Sequence, residues 1–332
     1  GRSGVTALRW GFLGAGWIAQ RALAPAVHAA DGAVLHAVAS RDLGRARALS
    51  PAIAYTRYDE LLADSDVDAV YICLNNDAHR PWTLAALVAG KHVLCEKPLG
   101  LDADEVDAMV TAAQRADRLL VEASWYRWHP RVRRAESLLA QGAVGTVRHV
   151  AAGFTFTGRA ESNYRLEVSR GGGALLDVGC YAVSAAMWAF GGAAVRTVSA
   201  RSRYGASGVD LTTEAVVAFD TGTAELRASF EEPERQWLTV TGDAGELDLP
   251  GPSFAAWTSD DTELVVSGSP SSGRHAVPAV DAYRLMVEDV SARVRGNSGY
   301  LVPLAESRGV ARVLDACRAS ARAGGEAVVP AP

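Results

Sequence analysis

The most informative stretch for the first part of the chain is Gly11-Phe12-Leu13-Gly14-Ala15-Gly16-Trp17-Ile18-Ala19. A strand-like run over 8–13 leads directly into it, and Gly14-x-Gly16-x-x-Ala19 matches the G-x-G-x-x-(G/A) fingerprint of a dinucleotide-binding turn. The first glycine permits the tight turn, the second lets a pyrophosphate approach the backbone, and the small third residue lets helix and strand pack closely. The helix start then offers free N–H groups to phosphates. Alone, the pattern also fits a purely structural turn.

The sequence around this stretch favours the nucleotide-binding interpretation. Residues 8–123 alternate short β-rich runs with amphipathic helical patterns, which predicts βαβ units and a parallel sheet. Strands are predicted at 8–13, 34–39, 69–73, 92–95 and 119–121, with helices such as 81–89 and 102–116 between them. We therefore predict that residues 1–123 form a Rossmann domain, an α/β fold with a doubly wound parallel sheet, and that it binds a dinucleotide.

After about residue 123 the pattern changes. Helices are predicted at 130–141, 174–190, 281–295 and 304–322, and strands at 147–157, 195–203, 212–219, 223–231, 236–241, 246–249 and 263–267. The turns at 220–222 and 242–245 suit antiparallel hairpins, and the Gly/Ser/Pro-rich segment 267–274 is typical of an exposed loop. We predict that residues 124–332 form an α+β domain with a large, mostly antiparallel open sheet that binds substrate and other subunits. The C-terminal helix is a candidate to pack back on the first domain.

Composition excludes several classes of protein. The 332 residues are 49% apolar and 21% charged, as in folded globular proteins. The net charge is −5 and the sequence contains no block of basic residues, so a nucleic-acid partner is not expected. No uninterrupted apolar run approaches the roughly 20 residues that span a membrane. The four cysteines are scattered, without metal-ligand spacing, and the residues after Gly1–Gly4 show no signal peptide. We expect no metal, no membrane partner and a cytoplasmic location.

The end of the second predicted strand indicates which dinucleotide binds. NAD sites place an acidic residue there for the ribose 2′-hydroxyl. Here the strand ends at Ser40-Arg41, and a hydroxyl with a guanidinium suits a 2′-phosphate. Asp42 fits better as the N-cap of the next helix. Arg45, one turn further on, either adds to a phosphate clamp or is solvated. The sequence predicts NADP, with NAD as the alternative.

A second motif, Glu96-Lys97-Pro98, ends the strand at 92–95. Ligands of open α/β sheets bind beyond the carboxyl ends of the strands, so Glu96 and Lys97 are placed to face the cofactor. The residue before a proline is held extended, which fixes the direction of the Lys97 side chain. Lys97 is one of only two lysines among 33 basic residues. The alternative is a surface lysine beside a turn proline.

With these motifs, nearly the whole chain resembles the glucose–fructose oxidoreductase / inositol dehydrogenase / rhizopine-catabolism (Gfo/Idh/MocA) family of dehydrogenases. The further matching stretches are Asn75-Asn76-Asp77-Ala78-His79, Trp125-Tyr126-Arg127-Trp128-His129-Pro130 and Gly171-Gly-Gly-Ala-Leu-Leu-Asp177-Val-Gly-Cys-Tyr181. The family often has proline where this chain has Asn75. Many members have histidine at the position of Tyr181, and the tyrosine form is similar to the branch of dimeric dihydrodiol dehydrogenases, xylose dehydrogenases and glucose–fructose oxidoreductases. That branch usually prefers NADP.

The resemblance implies a hydride-transfer site. Asp177 and Tyr181 are four apart and so share one face of a helix. Tyr181 is expected to transfer the hydroxyl proton, with Lys97 polarising the carbonyl oxygen and Asp177 orienting substrate hydroxyls or Lys97. In the family the lysine itself is sometimes assigned the proton transfer, so this division between Lys97 and Tyr181 stays open.

The other candidates are assigned by resemblance and position. The candidate cofactor-binding residues are Gly14, Gly16, Trp17, Ile18, Ser40, Arg41, Arg45, Leu74, Asn75, Asn76, His79, Glu96 and Lys97. The candidate substrate-binding residues are Trp125, Arg127, His129, Phe154 and Tyr164, with Phe156 also able to close the pocket. For His79 a core or capping role, and for the first three of the substrate set a packing role, is the structural alternative.

The predicted function is NADP-dependent hydride transfer to or from a hydroxyl/carbonyl pair of a small carbohydrate, polyol or dihydrodiol. Some proteins of this fold are glycosidases that use bound NAD transiently, and others only bind the dinucleotide to regulate a partner. The first alternative fits Tyr181 and Ser40-Arg41 poorly, and the second fits poorly with the presence of both Lys97 and Tyr181. By resemblance, the sheet of the second domain is expected to form a homodimer or homotetramer.

Overall fold

The computed structural model describes residues 6–158 and 163–332, so the stretch Gly1–Gly4, considered above for a signal peptide, lies outside the described residues. The chain divides into two compact units. The first unit comprises the described residues up to Gly100 with Asp104–Trp128 and Asp281–Leu304, and the second comprises Leu101–Ala103, the described part of His129–Val280, and Ala305–Pro332. The predicted boundary after residue 123 falls inside the first unit. Residues 281–304, which the prediction placed in the second domain, belong to the first unit.

The first unit contains a six-stranded sheet. Its strands are β1 (Leu8–Leu13), β2 (Ala33–Ala39), β3 (Ile53–Tyr55), β4 (Ala69–Ile72), β5 (His92–Glu96) and β6 (Leu120–Ala123). They lie in the order β3-β2-β1-β4-β5-β6, and every neighbouring pair is parallel. This is the doubly wound order of a Rossmann fold, as predicted, with its switch point between β1 and β4. The sequence analysis missed β3, a three-residue edge strand whose Ile53 is exposed.

The helices in the described residues are α1 (Ala24–Ala29), α2 (Leu43–Ala48), α3 (Tyr58–Ala63), α4 (His79–Val88), α5 (Ala103–Ala116), α6 (Pro130–Ala140), α7 (Cys180–Ala189), α8 (Ala282–Val294) and α9 (Leu304–Arg322). Of these helices, α4 to α9 lie close to the predicted ranges, whereas no range was predicted for α1, α2 and α3. Two of them are extended at their N-terminal side by π-helical turns, Ala19–Leu23 before α1 and Leu175–Gly179 before α7. The second of these turns carries a predicted catalytic residue.

Helix α8 completes the first unit. The buried Trp10 of β1 donates its indole N–H to Ser291 Oγ in α8 at 3.0 Å. Trp125 stacks on Tyr283 of α8, with ring centroids 4.2 Å apart. Arg295, at the end of α8, hydrogen-bonds to the backbone oxygen of Gly32. The first sheet therefore packs against a helix from near the C-terminus.

The second unit contains an eight-stranded sheet. Its strands are β7 (Val147–Thr155), β8 (Val195–Tyr204), β9 (Asp210–Phe219), β10 (Thr223–Ser229), β11 (Arg235–Gly242), β12 (Glu246–Asp248), β13 (Thr262–Ser267) and β14 (Gly273–Val277). Their order is β14-β13-β12-β11-β7-β10-β9-β8, and among these strands only β7 and β10 pair in parallel. The mostly antiparallel sheet was predicted. The segment 267–274 is not wholly a loop, because Gly273 and Arg274 begin β14 and pair with β13.

Helix α7 packs on β7 and β10 and forms the core of the second unit. The helical segment Val168–Ala189 is long and apolar enough to cross a membrane by length and composition, with a mean hydropathy of 1.2. However, 89% of that window is buried inside the structure, as in the core helix of a folded domain. The face of α7 and the sheet beneath it supply the aromatic and apolar surroundings of the site described below.

Candidate active site

The turn after β1 has the geometry that the fingerprint predicts. Gly14 has φ +98°, and a Cβ atom added there would overlap the Cys73 carbonyl oxygen, so a residue with a side chain does not fit. The Gly14 N–H donates to Ala39 O at 2.9 Å, which ties the turn to β2. A Cβ atom on Gly16 would have only Cys73 Sγ within 4 Å, at 3.9 Å. The backbone at Gly16 is thus open to a close ligand, at the switch point of the sheet.

Trp17 and Ile18 begin the helix behind this turn, and Trp17 is 67% exposed. Gln20 donates from its side-chain amide to Ala15 O at 2.8 Å, which holds the turn against the first helical residues. Trp17 and Ile18 as cofactor-binding residues stay predictions.

The polar residues that follow β2 have different contacts. Asp42 is the N-cap of α2, as predicted: its Oδ1 accepts the Arg45 N–H at 3.1 Å. Ser40 is buried, and its hydroxyl accepts the Asp42 N–H at 3.2 Å. Arg45 Nε lies 3.8 Å from Asp42 Oδ2, whereas Arg41 is exposed. The carboxylate of Asp42 is therefore turned toward its own helix.

Tyr58, at the start of α3, was missed by the sequence analysis. Its ring meets Trp82 edge-on, with centroids 4.9 Å apart. Burial raises the pKa of Tyr58, and the charge of Arg41 acts in the opposite direction. No local sequence pattern connects residue 58 to residue 41, because their electrostatic interaction depends on the position of β3 and α3.

Buried carboxylates hold the Lys97 turn. Glu96 accepts the Tyr71 hydroxyl proton at 2.6 Å through Oε1 and the Lys97 N–H at 3.2 Å through Oε2. On the other side, Glu122 Oε2 accepts the Leu99 N–H at 2.6 Å. The Lys97–Pro98 peptide bond is cis, and the Lys97 side chain is half-buried. Glu96 thus acts on the backbone beside Lys97, a role distinct from the predicted contact with cofactor.

His79 joins two loops at this edge of the first sheet. It is fully buried, with Nδ1 2.8 Å from Pro98 O and Nε2 3.1 Å from Leu74 O. Burial lowers the pKa of His79, although both backbone contacts act to raise it. A neutral imidazole donates through one nitrogen only, so one of the two carbonyls receives its proton. His79 therefore links the loop after β4 to the Lys97–Pro98 turn.

The remaining candidates of that loop are Leu74, Asn75 and Asn76. The Leu74 side chain lies against Gly14, Asn75 O accepts the Ala78 N–H at 2.9 Å, and Asn76 is buried. All three thus lie in the turn that follows β4, next to the predicted pyrophosphate turn.

The candidates after β6 are packed inside their units. Trp125 stacks on Tyr283, as described above, and Arg127 Nη2 donates to the Tyr300 hydroxyl at 3.1 Å. Both side chains are almost fully buried within the first unit. His129 begins the second unit, where it is the N-cap of α6: its Nδ1 accepts the Arg131 N–H at 3.1 Å. Packing and capping account for these contacts, and a role in substrate binding stays a prediction.

The second unit brings several of its candidates together. Asp177 and Tyr181 are both 7% exposed. The Tyr181 ring packs against Phe154 and Phe254, with centroid distances of 5.5 and 5.6 Å. Phe156 meets Phe154 edge-on at 6.2 Å. Asp177 lies in the π-helical turn and Tyr181 in α7, whereas the prediction assumed one regular helix. Such π-helical turns occur often at functional sites.

Arg165 was missed by the sequence analysis. Its Nε donates to Asp177 Oδ1 at 2.9 Å, and its guanidinium lies 4.6 Å from the centre of the Tyr164 ring. Burial lowers the pKa of Arg165, but the charge of Asp177 and its hydrogen bond outweigh this effect, so the pKa of Arg165 is raised. Tyr164 is therefore connected to Asp177 through Arg165.

The glycine triplet positions this helix start. A Cβ atom on Gly172 would lie 2.5 Å from Arg165 O, and one on Gly173, where φ is +111°, would overlap Asp210 Oδ1. Asp210 was also missed: its Oδ2 accepts the Leu175 N–H and the Thr213 hydroxyl proton, both at 2.8 Å. Asp210 thus satisfies a helix-start N–H just before Asp177.

One group of potential metal ligands lies away from these residues. His36, Asp64 and Asp66 have ligand atoms within 4.8 Å of one another. His36 Nε2 is 3.0 Å from Asp64 Oδ2, and Asp66 pairs with Arg9 at 2.5 Å. These contacts account for the group through hydrogen bonds and ion pairs.

Comparisons with known proteins divide the chain into an N-terminal and a C-terminal part. The model of the oxidoreductase family with an NAD-binding Rossmann fold (GFO_IDH_MocA) matches residues 8–124, and the model of the GFO/IDH/MocA C-terminal domain matches residues 132–248. D-xylose 1-dehydrogenase (NADP(+)) 2 of Haloferax volcanii is 36% identical over 323 residues, which cover 96% of this chain and 98% of the relative. Trans-1,2-dihydrobenzene-1,2-diol dehydrogenase of Bos taurus is 35% identical over 277 residues, 79% of this chain and 78% of the relative.

Among solved structures, the 3-ketoreductase KijD10 from Actinomadura kijaniata, in complex with NADP and TDP-benzene, matches with a TM-score of 0.87 and 29% identity. The match covers 95% of this chain and 98% of KijD10. The fold, the dinucleotide turn and these relatives define an NAD(P)-dependent oxidoreductase. The chain belongs to the Gfo/Idh/MocA family.

Proposed function

We propose that the protein is an NADP-dependent oxidoreductase that transfers a hydride between the nicotinamide and a hydroxyl/carbonyl pair of a small carbohydrate, polyol or dihydrodiol. The observation that carries the choice of NADP is the arrangement at the end of β2. Asp42 is the N-cap of α2, where its Oδ1 accepts the Arg45 N–H, which leaves Ser40 and the exposed Arg41 beside the expected ribose. A guanidinium binds a 2′-phosphate through its planar fork. The named NADP-dependent relatives support the same choice.

The candidate residues supply binding, orientation and proton transfer. NADP, when bound, gives or accepts the hydride at nicotinamide C4. Tyr181 gives or takes the hydroxyl proton, and Lys97 polarises the carbonyl oxygen, with the reverse division between them as the alternative. Solved KijD10 structures include a tyrosine-to-phenylalanine variant and lysine variants at positions separated by the same number of residues as Lys97 and Tyr181. This spacing supports a paired role for the two side chains.

The surroundings of Tyr181 support a ring-shaped substrate. Phe154, Phe254 and Tyr164 present aromatic surfaces near Tyr181 and Arg165, and aromatic walls with a few polar groups are typical of small-molecule pockets. The relatives are named as xylose and dihydrodiol dehydrogenases and as a 3-ketoreductase, whose substrates carry hydroxyl or ketone groups on rings.

The test is a fluorescence titration of the protein with NADPH and NADH, followed by a panel of sugars, polyols, dihydrodiols and ketones. We expect tighter binding of NADPH and net reduction of free NADP by at least one hydroxyl compound. Tighter binding of NADH would overturn the assignment of Ser40 and Arg41 to the 2′-phosphate of NADP. Sugar cleavage without net cofactor turnover would indicate the glycosidase alternative, and binding without either reaction would indicate a regulator.

We also propose that the protein forms a homodimer or homotetramer through the outer face of the second sheet. This face carries a groove of about 490 Å³, and Val216 within it is 44% exposed. The groove is lined by alternating apolar and charged side chains, among them Arg201, Glu214, Val216, Glu225, Arg227 and Trp237. The test is the mass by light scattering of the protein and of Val216→Glu. A single-chain mass for the unaltered protein would reject the proposal.

A cytoplasmic location remains a proposal as well. The four cysteines are free thiols, and three of them are buried, which suits a reducing compartment.

A further inference from the structure

We propose that Arg165 is a positioning residue of the hydride-transfer site: it holds the Asp177 carboxylate in place and supplies a positive charge next to Tyr181. This inference rests on the proposed function and assigns a role to a residue that no motif suggested.

The side chain of Arg165 forms a shielded ion pair. Its Nε lies 2.9 Å from Asp177 Oδ1, with the Asp177 side chain 9% exposed and that of Arg165 26% exposed. Removing one partner of such a pair leaves the other charge buried and uncompensated. The orientation and ionisation of Asp177 therefore depend on Arg165.

The backbone of Arg165 is fixed to the start of the same helix. Asn163 Oδ1 accepts the Arg165 N–H at 3.0 Å, and Arg165 O accepts the Gly173 N–H at 2.8 Å. Gly172 lies so close to Arg165 O that a side chain there would not fit. Arg165 is thus connected to this helix start both through its backbone, at the glycines, and through its guanidinium, at Asp177.

Among the described residues of the second unit, several segments contribute groups next to Tyr181. From β7 and from the loop after β12, Phe154 and Phe254 contribute uncharged rings. The segment 163–166 contributes Arg165 and the phenol of Tyr164, and the π-helical turn contributes Asp177. Arg165 interacts electrostatically with Tyr181. Lys97, from the first unit, is the further cation that the proposed function requires.

This arrangement has a definite consequence for proton transfer. A carboxylate near a phenol disfavours its ionised form, and a guanidinium favours it. Because Arg165 is paired with Asp177, it offsets that carboxylate. Loss of the Arg165 charge should therefore make Tyr181 harder to deprotonate and shift the basic action of Tyr181 to higher pH.

Arg170 is a matched control. It lies in the same segment and pairs with Glu167 at 3.1 Å, but the Arg170 and Glu167 side chains are 48% and 40% exposed. Its pair is separate from Asp177. Arg170→Met also removes an arginine side chain, but it leaves the Arg165–Asp177 pair in place.

The experiment compares the unaltered protein with Arg165→Met, Arg165→Lys and Arg170→Met. We measure kcat and KM for NADP reduction across pH, the NADPH dissociation constant and the melting temperature. For Arg165→Met we expect kcat to fall by about 10- to 100-fold, with the pH midpoint of kcat/KM moved upward and NADPH binding within about twofold. Arg165→Lys should restore the pH midpoint, because it keeps the charge, while kcat recovers only in part. Arg170→Met should match the unaltered protein.

An unchanged pH midpoint in a folded Arg165→Met protein would overturn the inference, even if kcat falls, since that would show a purely structural role. A second readout needs no turnover: tyrosinate absorbance titrations of the unaltered protein, Tyr181→Phe and Arg165→Met. The component lost in Tyr181→Phe should move to higher pH in Arg165→Met. If the unaltered protein transfers no hydride, the proposed function fails, and this titration still decides the role of Arg165.

Discussion

Arg41 and Asp42 are adjacent in sequence but have different tasks. Asp42 caps α2, and Arg41 is left exposed near Tyr58. A charged hydrogen bond to a phosphate contributes about 1.5–3 kcal/mol. Arg41→Ala should therefore weaken NADPH binding by roughly 10- to 100-fold and change NADH binding little, as measured by fluorescence titration.

The matched change beside it is Arg45→Ala. Arg45 already lies 3.8 Å from the Asp42 carboxylate, so its loss should affect NADPH less than the loss of Arg41. Equal weakening of NADPH and NADH by Arg41→Ala would contradict recognition of the 2′-phosphate.

Tyr181 is the residue on which the chemistry depends most. Tyr181→Phe keeps the ring against Phe154 and Phe254 and removes only the hydroxyl. If Tyr181 is the acid/base, turnover should fall by about 10²–10⁴ with an unchanged melting temperature. Lys97→Arg is the companion variant. Full activity in Lys97→Arg would show that only charge is needed there, and unchanged turnover in Tyr181→Phe would assign the proton to another group.

At the scale of elements, Asp210 determines how the helix of Asp177 and Tyr181 begins. Its carboxylate accepts the Leu175 N–H and fits against Gly173. Asp210→Ala removes this acceptor, which should lower the free energy of unfolding by about 1–2 kcal/mol and reduce kcat through the displaced helix start. Chemical denaturation and steady-state kinetics measure the two effects. Asp210→Asn keeps an acceptor oxygen, and equal losses in both variants would contradict a capping role.

The start of α6 predicts a pH dependence of stability. Burial, with the charge of Arg131, lowers the pKa of His129 to about 4. The unfolded chain binds the His129 proton near pH 6.5, so the stabilisation is complete above that pH and is lost as the pH falls toward 4. The free energy of unfolding should drop by up to about 3 kcal/mol over that window. Denaturant melts at several pH values measure it.

His129→Asn is the diagnostic variant, since asparagine is a good N-cap that does not titrate. It should flatten the acid-side slope of the free energy of unfolding against pH. A slope that persists in His129→Asn would place the titrating group elsewhere.

At the scale of the whole molecule, the first unit depends on residues far along the chain. Trp10 and Ser291 are both buried, and their hydrogen bond joins β1 to α8. Ser291→Ala leaves the indole N–H without this acceptor, which should cost about 1–3 kcal/mol. Thermal melts with and without NADPH should show the loss. An unchanged melting temperature would mean that this contact adds nothing to the first unit.

Local signals made much of the fold and part of the site predictable. The turn at Gly14, the N-cap at Asp42 and most strands follow from residue types and their immediate neighbours. Arg165 and Asp210 were missed because their partners are 12 and 35 positions away and meet them only in the folded unit. The strands β3 and β14 were missed because short, partly exposed strands carry little apolar periodicity. The π-helical turn has no recognisable sequence signal.

The place of α8 has a consequence for biosynthesis. Because Asp281–Leu304 belongs to the first unit, a nascent polypeptide that has emerged only as far as residue 128 still lacks a helix of that unit. Its nucleotide-binding half is completed after most of the other half has left the ribosome. Protease resistance of stalled chains should therefore arise late, and a gene fragment ending at codon 128 should yield an aggregation-prone product.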